Sequence, residues 1–218
     1  MRLILPEVRD LEPEDLYDLY DVPGPHLRAG FVASMDGAVT VEGRSAPLQS
    51  PADNAVFRAL RVVCDAVVVG AGTLRAENYG PVRLQPSGIA WRAYHDRSPE
   101  VPVVVVTRTC DLGSGRVLEG PTLVTGKDLP VDPRELVEAL HERGMTRLLC
   151  EGGPSLLATL LDADLVDEVC LTSAPLLVGD GPRLVDGPGV PVPLSLTSLI
   201  HDAPGVLLAR WAVVRPHG

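Results

Sequence analysis

Seven short apolar runs, most of them rich in valine, recur at residues 27–33, 66–69, 103–106, 123–125, 147–150, 168–172 and 206–214. They are nearly continuous rather than alternating, as expected of strands covered on both faces. Stretches of helical period lie between several of them. Ser50 is placed to cap a helix with Pro51 at its first position and Asp53 in its first turn. Ala52, Ala55, Val56, Ala59, Leu60 and Val63 then fall on one face of that helix. Asp132 and Pro133 start a second helix, which buries Leu136, Val137 and Leu140 and stops at Gly144. A third spans 154–161, with Leu156, Leu157, Leu160 and Leu161 inward. Strands alternating with helices predict an α/β domain with a mostly parallel sheet flanked by helices. After Pro175 no helical period appears, so the tail reads as an antiparallel edge or hairpin completing a mixed sheet. Residues 78–101 are polar, carry Pro and Gly, and read as a surface loop. No repeat or linker interrupts the chain, and a single domain is expected.

Composition narrows the partners. Against 29 acidic residues stand 19 basic ones, for a formal charge of −10. That balance repels nucleic-acid backbones and anionic membrane surfaces, so neither is an expected partner. No apolar run approaches the roughly 20 residues of a membrane-spanning helix. The N-terminal stretch turns acidic too early for a secretory signal, and a cytoplasmic location is expected. Cys64, Cys110, Cys150 and Cys170 have no metal-ligand spacing, nor do His26, His95, His141, His201 and His217. No metal site is expected. Cys64, Cys150 and Cys170 sit at the edges of apolar runs and read as small buried hydrophobes. The only lysine, Lys127, has no P-loop spacing and nothing nearby that prepares a Schiff base.

Three segments carry candidate chemistry. Ser34-Met35-Asp36-Gly37 ends an apolar strand, and Asp-Gly is also a common hairpin turn. Gly70-Ala71-Gly72-Thr73 lets a ligand approach the backbone at the start of a short helix, but it equally suits a tight turn. In Cys150-Glu151-Gly152-Gly153-Pro154-Ser155 a strand delivers a carboxylate to its C-terminal end. Ligands bind at such ends in open α/β sheets, and Pro154 opens a helix whose free N–H groups attract anions. Here too a plain Gly-Gly turn, with Glu151 favouring the helix dipole, accounts for the residues.

Together and in this order, SMDGAVT with Ser45 following, DAVVVGAGTLRAEN, and LLCEGGPSLLATLLDADLVDEVCLTSAPLLVGDG resemble the pyrimidine reductases of riboflavin biosynthesis. The likeness runs from about residue 27 to 214, with residues 1–26 set apart as an N-terminal extension and 27–218 as the reductase domain. Within the extension, LYDLYDVP is similar to a segment in stand-alone reductase-like proteins of actinobacteria.

The resemblance implies a dihydrofolate reductase-like fold and a homodimer. It implies NADPH-dependent reduction of the ribosylamino group of a 5-amino-6-(5-phosphoribosylamino)uracil-type pyrimidine to ribitylamino. Cofactor contacts of the family map onto Gly70, Gly72, Thr73, the Glu77 position, Thr107 and Arg108, and then Gly152, Gly153, Pro154, Ser155 and Leu156. Arg108 is the side chain expected near the 2′-phosphate of NADPH. Substrate contacts map onto Ser45, Arg61, Arg83 and Glu151, the two arginines holding the ribose 5-phosphate. Asp36, Glu77 and Glu151 are candidates for the carboxyl that assists proton transfer, with Glu151 ranked first.

The sequence also departs from the pattern. Gly30 stands where the family usually has lysine, Pro47 where it has tryptophan, and Glu77-Asn78-Tyr79 where Asp-Asp-Pro is common. The H-x-E and P-C-x-x-C signatures of the zinc deaminase are absent, so no deaminase activity is expected. Two other readings stay open: a reductase whose altered pocket takes a pterin, and a non-catalytic NADP(H)-binding protein.

Overall fold

The valine runs at the middle of the chain pair side by side, each strand followed by a helix that covers one face. In the computed structural model, which describes residues 1–109, 111–185, 189 and 191–215, ten strands form one sheet. Cys110 and His217 lie outside the described residues. The first elements are β1 (Arg2–Leu5), β2 (Arg9–Asp10), α1 (Asp15–Tyr20) and β3 (His26–Ser34). They are followed by α2 (Pro51–Val63), β4 (Ala66–Gly70), α3 (Ala71–Ala76), α4 (Pro86–Tyr94), β5 (Val103–Val106) and β6 (Thr122–Val124). The rest are α5 (Pro133–Glu142), β7 (Arg147–Cys150), α6 (Pro154–Asp162), β8 (Glu168–Ala174), β9 (Leu194–Asp202) and β10 (Val206–Val213).

The order across the sheet is β2-β1-β9-β10-β8-β3-β7-β4-β5-β6. Six strands from β8 to β6 run parallel, and β10, β9, β1 and β2 extend the sheet antiparallel. This is the mixed, mostly parallel α/β sheet with an antiparallel edge that the apolar pattern predicts. Alternate residues of the central strands feed two cores, Val67 joining α1 and α2 on one face and Val68 joining α5 and α6 on the other. Cys64, Cys150 and Cys170 are free and buried, as the apolar runs around them predict, and burial pushes each thiol up to about 12.

The structure corrects the sequence reading in one place and fills it out in two others, the antiparallel hairpin expected after Pro175 being present. The segment taken as a surface loop contains α4, whose Arg92 is 1% exposed. Arg92 donates to the carbonyls of Val62 and Cys64, at 2.6 Å each, and to that of Ser98. With Arg97 on the carbonyl of Val63, it closes the C-terminal end of α2. A charged residue spent on buried carbonyls looks like a solvated loop charge in the sequence, which is why the helix is missed. The tail holds the hairpin β9–β10, whose first strand is half-exposed and too polar to register as an apolar run. The first 26 residues carry β1, β2 and α1, and Leu3, Leu11, Leu16, Tyr17 and Tyr20 are buried with α2 in one core.

Candidate active site

Strands β4 and β7 are neighbours, and both end in glycine turns that touch. Gly70 donates its N–H to the carbonyl of Gly152 at 2.7 Å, and Glu151 donates to Val68 at 3.0 Å. A Cβ on Gly153 would lie 2.8 Å from Thr73 Oγ1, so the two turns pack with no room for a side chain. Gly152 has φ of 93°, and a Cβ there would meet the Phe31 ring at 3.1 Å; the Gly152–Gly153 peptide is cis. Neither α3 nor α6 has a side-chain cap at its N-terminus. The N–H groups of Gly72 and Thr73 on α3 and of Ser155 on α6 are therefore left to the cleft that Gly153, Pro154 and Leu156 also line, Leu156 N–H itself bonding the Gly153 carbonyl at 2.9 Å.

The cleft has a volume of about 1630 Å³. A pocket for one small molecule runs to roughly 300–1,000 Å³, so this one has space for a dinucleotide and a second ligand together. Two uncapped helix N-termini beside glycine turns fit a pyrophosphate. Arg108, exposed at the end of β5, and Thr107 complete that wall. Thr107 is fixed by Thr125, whose hydroxyl accepts from its N–H and donates to its carbonyl, both at 2.9 Å.

On the opposite side Glu151 leaves the end of β7 with its side chain 4% exposed. Arg61, on the last turn of α2, donates Nε to Oε1 and Nη2 to Oε2, each at 2.6 Å. Tyr79 donates its hydroxyl to Oε2 at 2.7 Å. The carboxylate thus accepts three hydrogen bonds from fixed donors, two of them the parallel fork that matches guanidinium to carboxylate. The Glu151 charge raises Arg61 above its usual value, against the opposing effect of burial. Burial and Glu151 together hold the Tyr79 phenol well above its own. Both stay protonated donors at neutral pH.

The remaining candidates divide. Ser45 and Glu77 line the cleft and are joined, Ser45 donating its N–H to Glu77 Oε1 at 2.8 Å. Glu77 therefore anchors the loop that carries Ser45. Asp36 does not enter the cleft. It accepts from Ser34 Oγ at 2.6 Å and from the N–H groups of Val178 and Gly179 at 3.1 and 2.7 Å, tying the end of β3 to the loop after β8. Those bonds, the Ser34 hydroxyl first, hold its carboxyl well below the usual range. An acid that stays ionised and faces a loop is no proton donor, so Asp36 leaves the catalytic candidates. Arg83 also lies outside the cleft, 77% exposed and paired with Glu119 at 3.5 Å. The resemblance puts Arg83 at the substrate, whereas here this part of the loop after α3 turns outward.

Tyr79 lines the cleft on Glu151 and is not among the candidates that the sequence offers. It lies in the stretch taken for a loop, with no periodicity to mark it. Phe57 and Arg58 are also missed, although Asn54, Phe57, Arg58 and Arg61 are spaced as one helical stripe and all line the cleft. The departure at Gly30 has a packing explanation. A Cβ there would meet Leu60, Leu149 and Phe57 at 3.2, 3.3 and 3.5 Å, so apolar side chains fill the space a longer residue would need.

The chain matches the model of the RibD C-terminal domain over residues 25–208. It is 29% identical over 186 residues to the 2,5-diamino-6-ribosylamino-4(3H)-pyrimidinone 5′-phosphate reductase of Methanothermobacter thermautotrophicus, covering 76% of this chain and 86% of that one. It is 31% identical over 170 residues to the riboflavin biosynthesis protein RibD of Mycobacterium tuberculosis, covering 76% of this chain and 47% of the relative. A pyrimidine reductase-like protein from Corynebacterium diphtheriae superposes with a TM-score of 0.77 at 25% identity, covering 88% of this chain and 93% of that one. The matched stretch contains both glycine turns, Glu151, Arg61 and all six parallel strands; the chain belongs to the RibD C-terminal domain family, oxidoreductases that use a nicotinamide cofactor on a dihydrofolate reductase-like fold.

Proposed function

We propose that this chain is an NADPH-dependent pyrimidine reductase of riboflavin biosynthesis. It reduces the ribosylamino group of a 5-phosphoribosylamino-pyrimidine, of which 5-amino-6-(5-phosphoribosylamino)uracil is one form, to ribitylamino. The observation that carries the reading is a single cleft with two unlike walls. One is made of glycine turns and uncapped helix N-termini, and the other of the Arg61–Glu151–Tyr79 network. Relatives named as reductases of the 2,5-diamino-6-ribosylamino-pyrimidinone 5′-phosphate support the substrate class.

The cofactor, when bound, supplies a hydride to C1′ of the ribose as its ring opens. Thr73 and the N–H groups of Gly153 and Ser155 would hold the pyrophosphate, and Arg108 the 2′-phosphate that separates NADPH from NADH. Glu151 is held in one rotamer by Arg61 and Tyr79, so its contribution is orientation: it fixes two donors at the edge of the substrate space. Glu77 keeps Ser45 at the rim.

The working unit is taken as a homodimer in the cytoplasm with a small-molecule partner. Leu194, 43% exposed at the start of β9, offers apolar surface on the antiparallel strands.

The test is NADPH oxidation by the purified protein with the phosphoribosylamino-pyrimidine in its 2-amino and deaminated forms, and dihydrofolate in parallel. Rapid oxidation with either pyrimidine supports the reading and says which form is used. Binding of NADPH without oxidation of either pyrimidine overturns it, and turnover of dihydrofolate would move the enzyme to pterins.

A further inference from the structure

The cleft crosses the carboxyl ends of the parallel strands, which lie in the order β5, β4, β7, β3 and β8. At about 4.8 Å per strand, β5 and β8 stand about 19 Å apart. Arg108 lies at the β5 end, and the glycine turns follow β4 and β7 in the middle. The proposed function puts the 2′-phosphate on Arg108 and the pyrophosphate on those turns. The nicotinamide half of the cofactor then extends the other way, toward the ends of β3 and β8.

That end of the cleft is formed by two loops, one between β3 and α2 and one after β8. The first supplies Val39, Thr40 and Val41 to the lining, and the second Val178, Gly181 and Pro182. Backbone bonds join the loops at two points, Met35 N–H to the Leu176 carbonyl at 2.8 Å and Val39 N–H to the Pro182 carbonyl at 3.0 Å. Val41 and Val178 also pack on one small cluster of Val32, Leu48 and Ala174. A Cβ on Gly181 would lie 3.1 Å from the Thr40 carbonyl oxygen, so the loops meet with little slack. Between the two backbone bonds, the Asp36 carboxylate accepts from the N–H groups of Val178 and Gly179 and from the Ser34 hydroxyl of its own loop. Ser34 Oγ in turn accepts from Ala38 N–H at 2.9 Å, one residue before Val39. Asp36 thus fixes the backbone on both sides of this wall from behind it.

We propose, on the strength of that functional reading, that Asp36 is a positioning residue: its carboxylate sets the wall on which the nicotinamide half of the cofactor seats, and through it the alignment for hydride transfer, while touching neither reactant. A carboxylate suits the task because its two oxygens accept all three bonds. In Asp36→Asn one acceptor oxygen remains, and the amide donors would face the N–H groups of Val178 and Gly179.

The test titrates NADPH and adenosine 2′,5′-bisphosphate, which has the adenosine half alone, into the wild type, Asp36→Asn and Ser34→Ala by calorimetry. Steady-state NADPH oxidation with the pyrimidine follows. Asp36→Asn should bind the bisphosphate as the wild type does but NADPH roughly 5- to 10-fold more weakly, from the loss of bonds to a charged group. Its kcat should fall roughly 10- to 100-fold, since a misplacement of about 1 Å at the reacting atoms costs about that much. KM for the pyrimidine should stay within about threefold, because Ser45 is held separately by Glu77 and the Glu151 network is untouched. Ser34→Ala removes one donor to the same carboxylate and should show the same pattern with smaller losses; it carries the test should Asp36→Asn not fold. NADPH affinity and kcat both at the wild-type level in the variant that folds, or equal weakening of NADPH and the bisphosphate, overturn the proposal. A wild type that binds NADPH but reduces neither pyrimidine overturns the functional reading alone, since the two titrations still decide on Asp36. A wild type that does not bind NADPH overturns both.

Discussion

Arg61 and Glu151 face each other as a fork on a fork, with both hydrogen bonds at 2.6 Å, across the seam between α2 and the end of β7. The pair fixes the helix that carries one wall of the cleft to the strand whose end opens into it. Removing one partner leaves a largely desolvated charge without its counterpart.

Glu151→Gln is therefore expected to lower kcat/KM by about 100-fold, equivalent to about 3 kcal/mol, within the range for breaking a hydrogen-bonded charge pair. Steady-state NADPH oxidation reads the effect, and circular dichroism checks that the sheet persists. Turnover and substrate affinity both near the wild type would remove Glu151 from the site.

Tyr79→Phe takes away only one of the three donors to Glu151. A charge-assisted bond contributes about 1.5–3 kcal/mol, so activity should fall about tenfold while the ring, packed on the core, holds the loop in place. A double-mutant cycle with Glu151→Gln checks that the phenol acts through the carboxylate: the second substitution should add little to the first. Full additivity would mean that Tyr79 works elsewhere.

Gly153→Ala would place a carbon 2.8 Å from Thr73 Oγ1 and push the two glycine turns apart. The expected outcome is NADPH binding weakened about tenfold, with little change in the thermal midpoint, because the contact lies at the cleft rather than in the core. Adding Thr73→Ala removes the atom that clashes. If the double variant binds no better than Gly153→Ala, steric crowding between these two residues is not the cause.

Much of this was legible in the sequence, and the parts that were not share a physical reason. Valine runs and amphipathic helices report burial, and burial placed β3, β4, β5, β7, α2, α5 and α6 within a residue or two. The carboxylate at the strand end and the glycine turns were visible because turns demand particular residues. Polar side chains whose work is internal left no such trace. Arg92 serves buried carbonyls and Tyr79 serves a buried carboxylate, yet each reads as an ordinary loop residue. Asp36 erred the other way: a motif position that suggested chemistry is used to staple two loops.

Arg92→Leu keeps most of the side-chain volume but leaves the carbonyls of Val62, Cys64 and Ser98 without a donor inside the protein. Each such group costs about 1–3 kcal/mol, so a loss of about 3–5 kcal/mol is expected after local relaxation. Urea unfolding should show a lower midpoint at unchanged slope. A midpoint within error of the wild type would mean that water reaches the end of α2 and replaces the guanidinium.

Asp53 gives a prediction whose sign depends on pH. It lies in the first turn of α2, 1% exposed, and neither carboxyl oxygen has a partner at full hydrogen-bond geometry. Burial lifts it from an ordinary 3.8 to about 6, opposed in part by the Thr172 hydroxyl and Arg61, while Glu151 adds to the rise. A folded-state value above the unfolded one means that the group is least costly to the fold when protonated. The wild type should therefore lose stability relative to Asp53→Asn as pH rises from about 4 to about 6, and the gap should be constant above that. The shift corresponds to about 3 kcal/mol as an order of magnitude. Other carboxylates push the opposite way, Glu168 being held low by His26, Arg28 and Arg210 against the cost of its burial, so the total stability of either protein is not the informative quantity. The difference between the two denaturation curves at each pH isolates Asp53. A difference that stayed flat from pH 4 to 7 would show that water or a proton donor reaches the carboxylate, and that the buried charge is not borne alone.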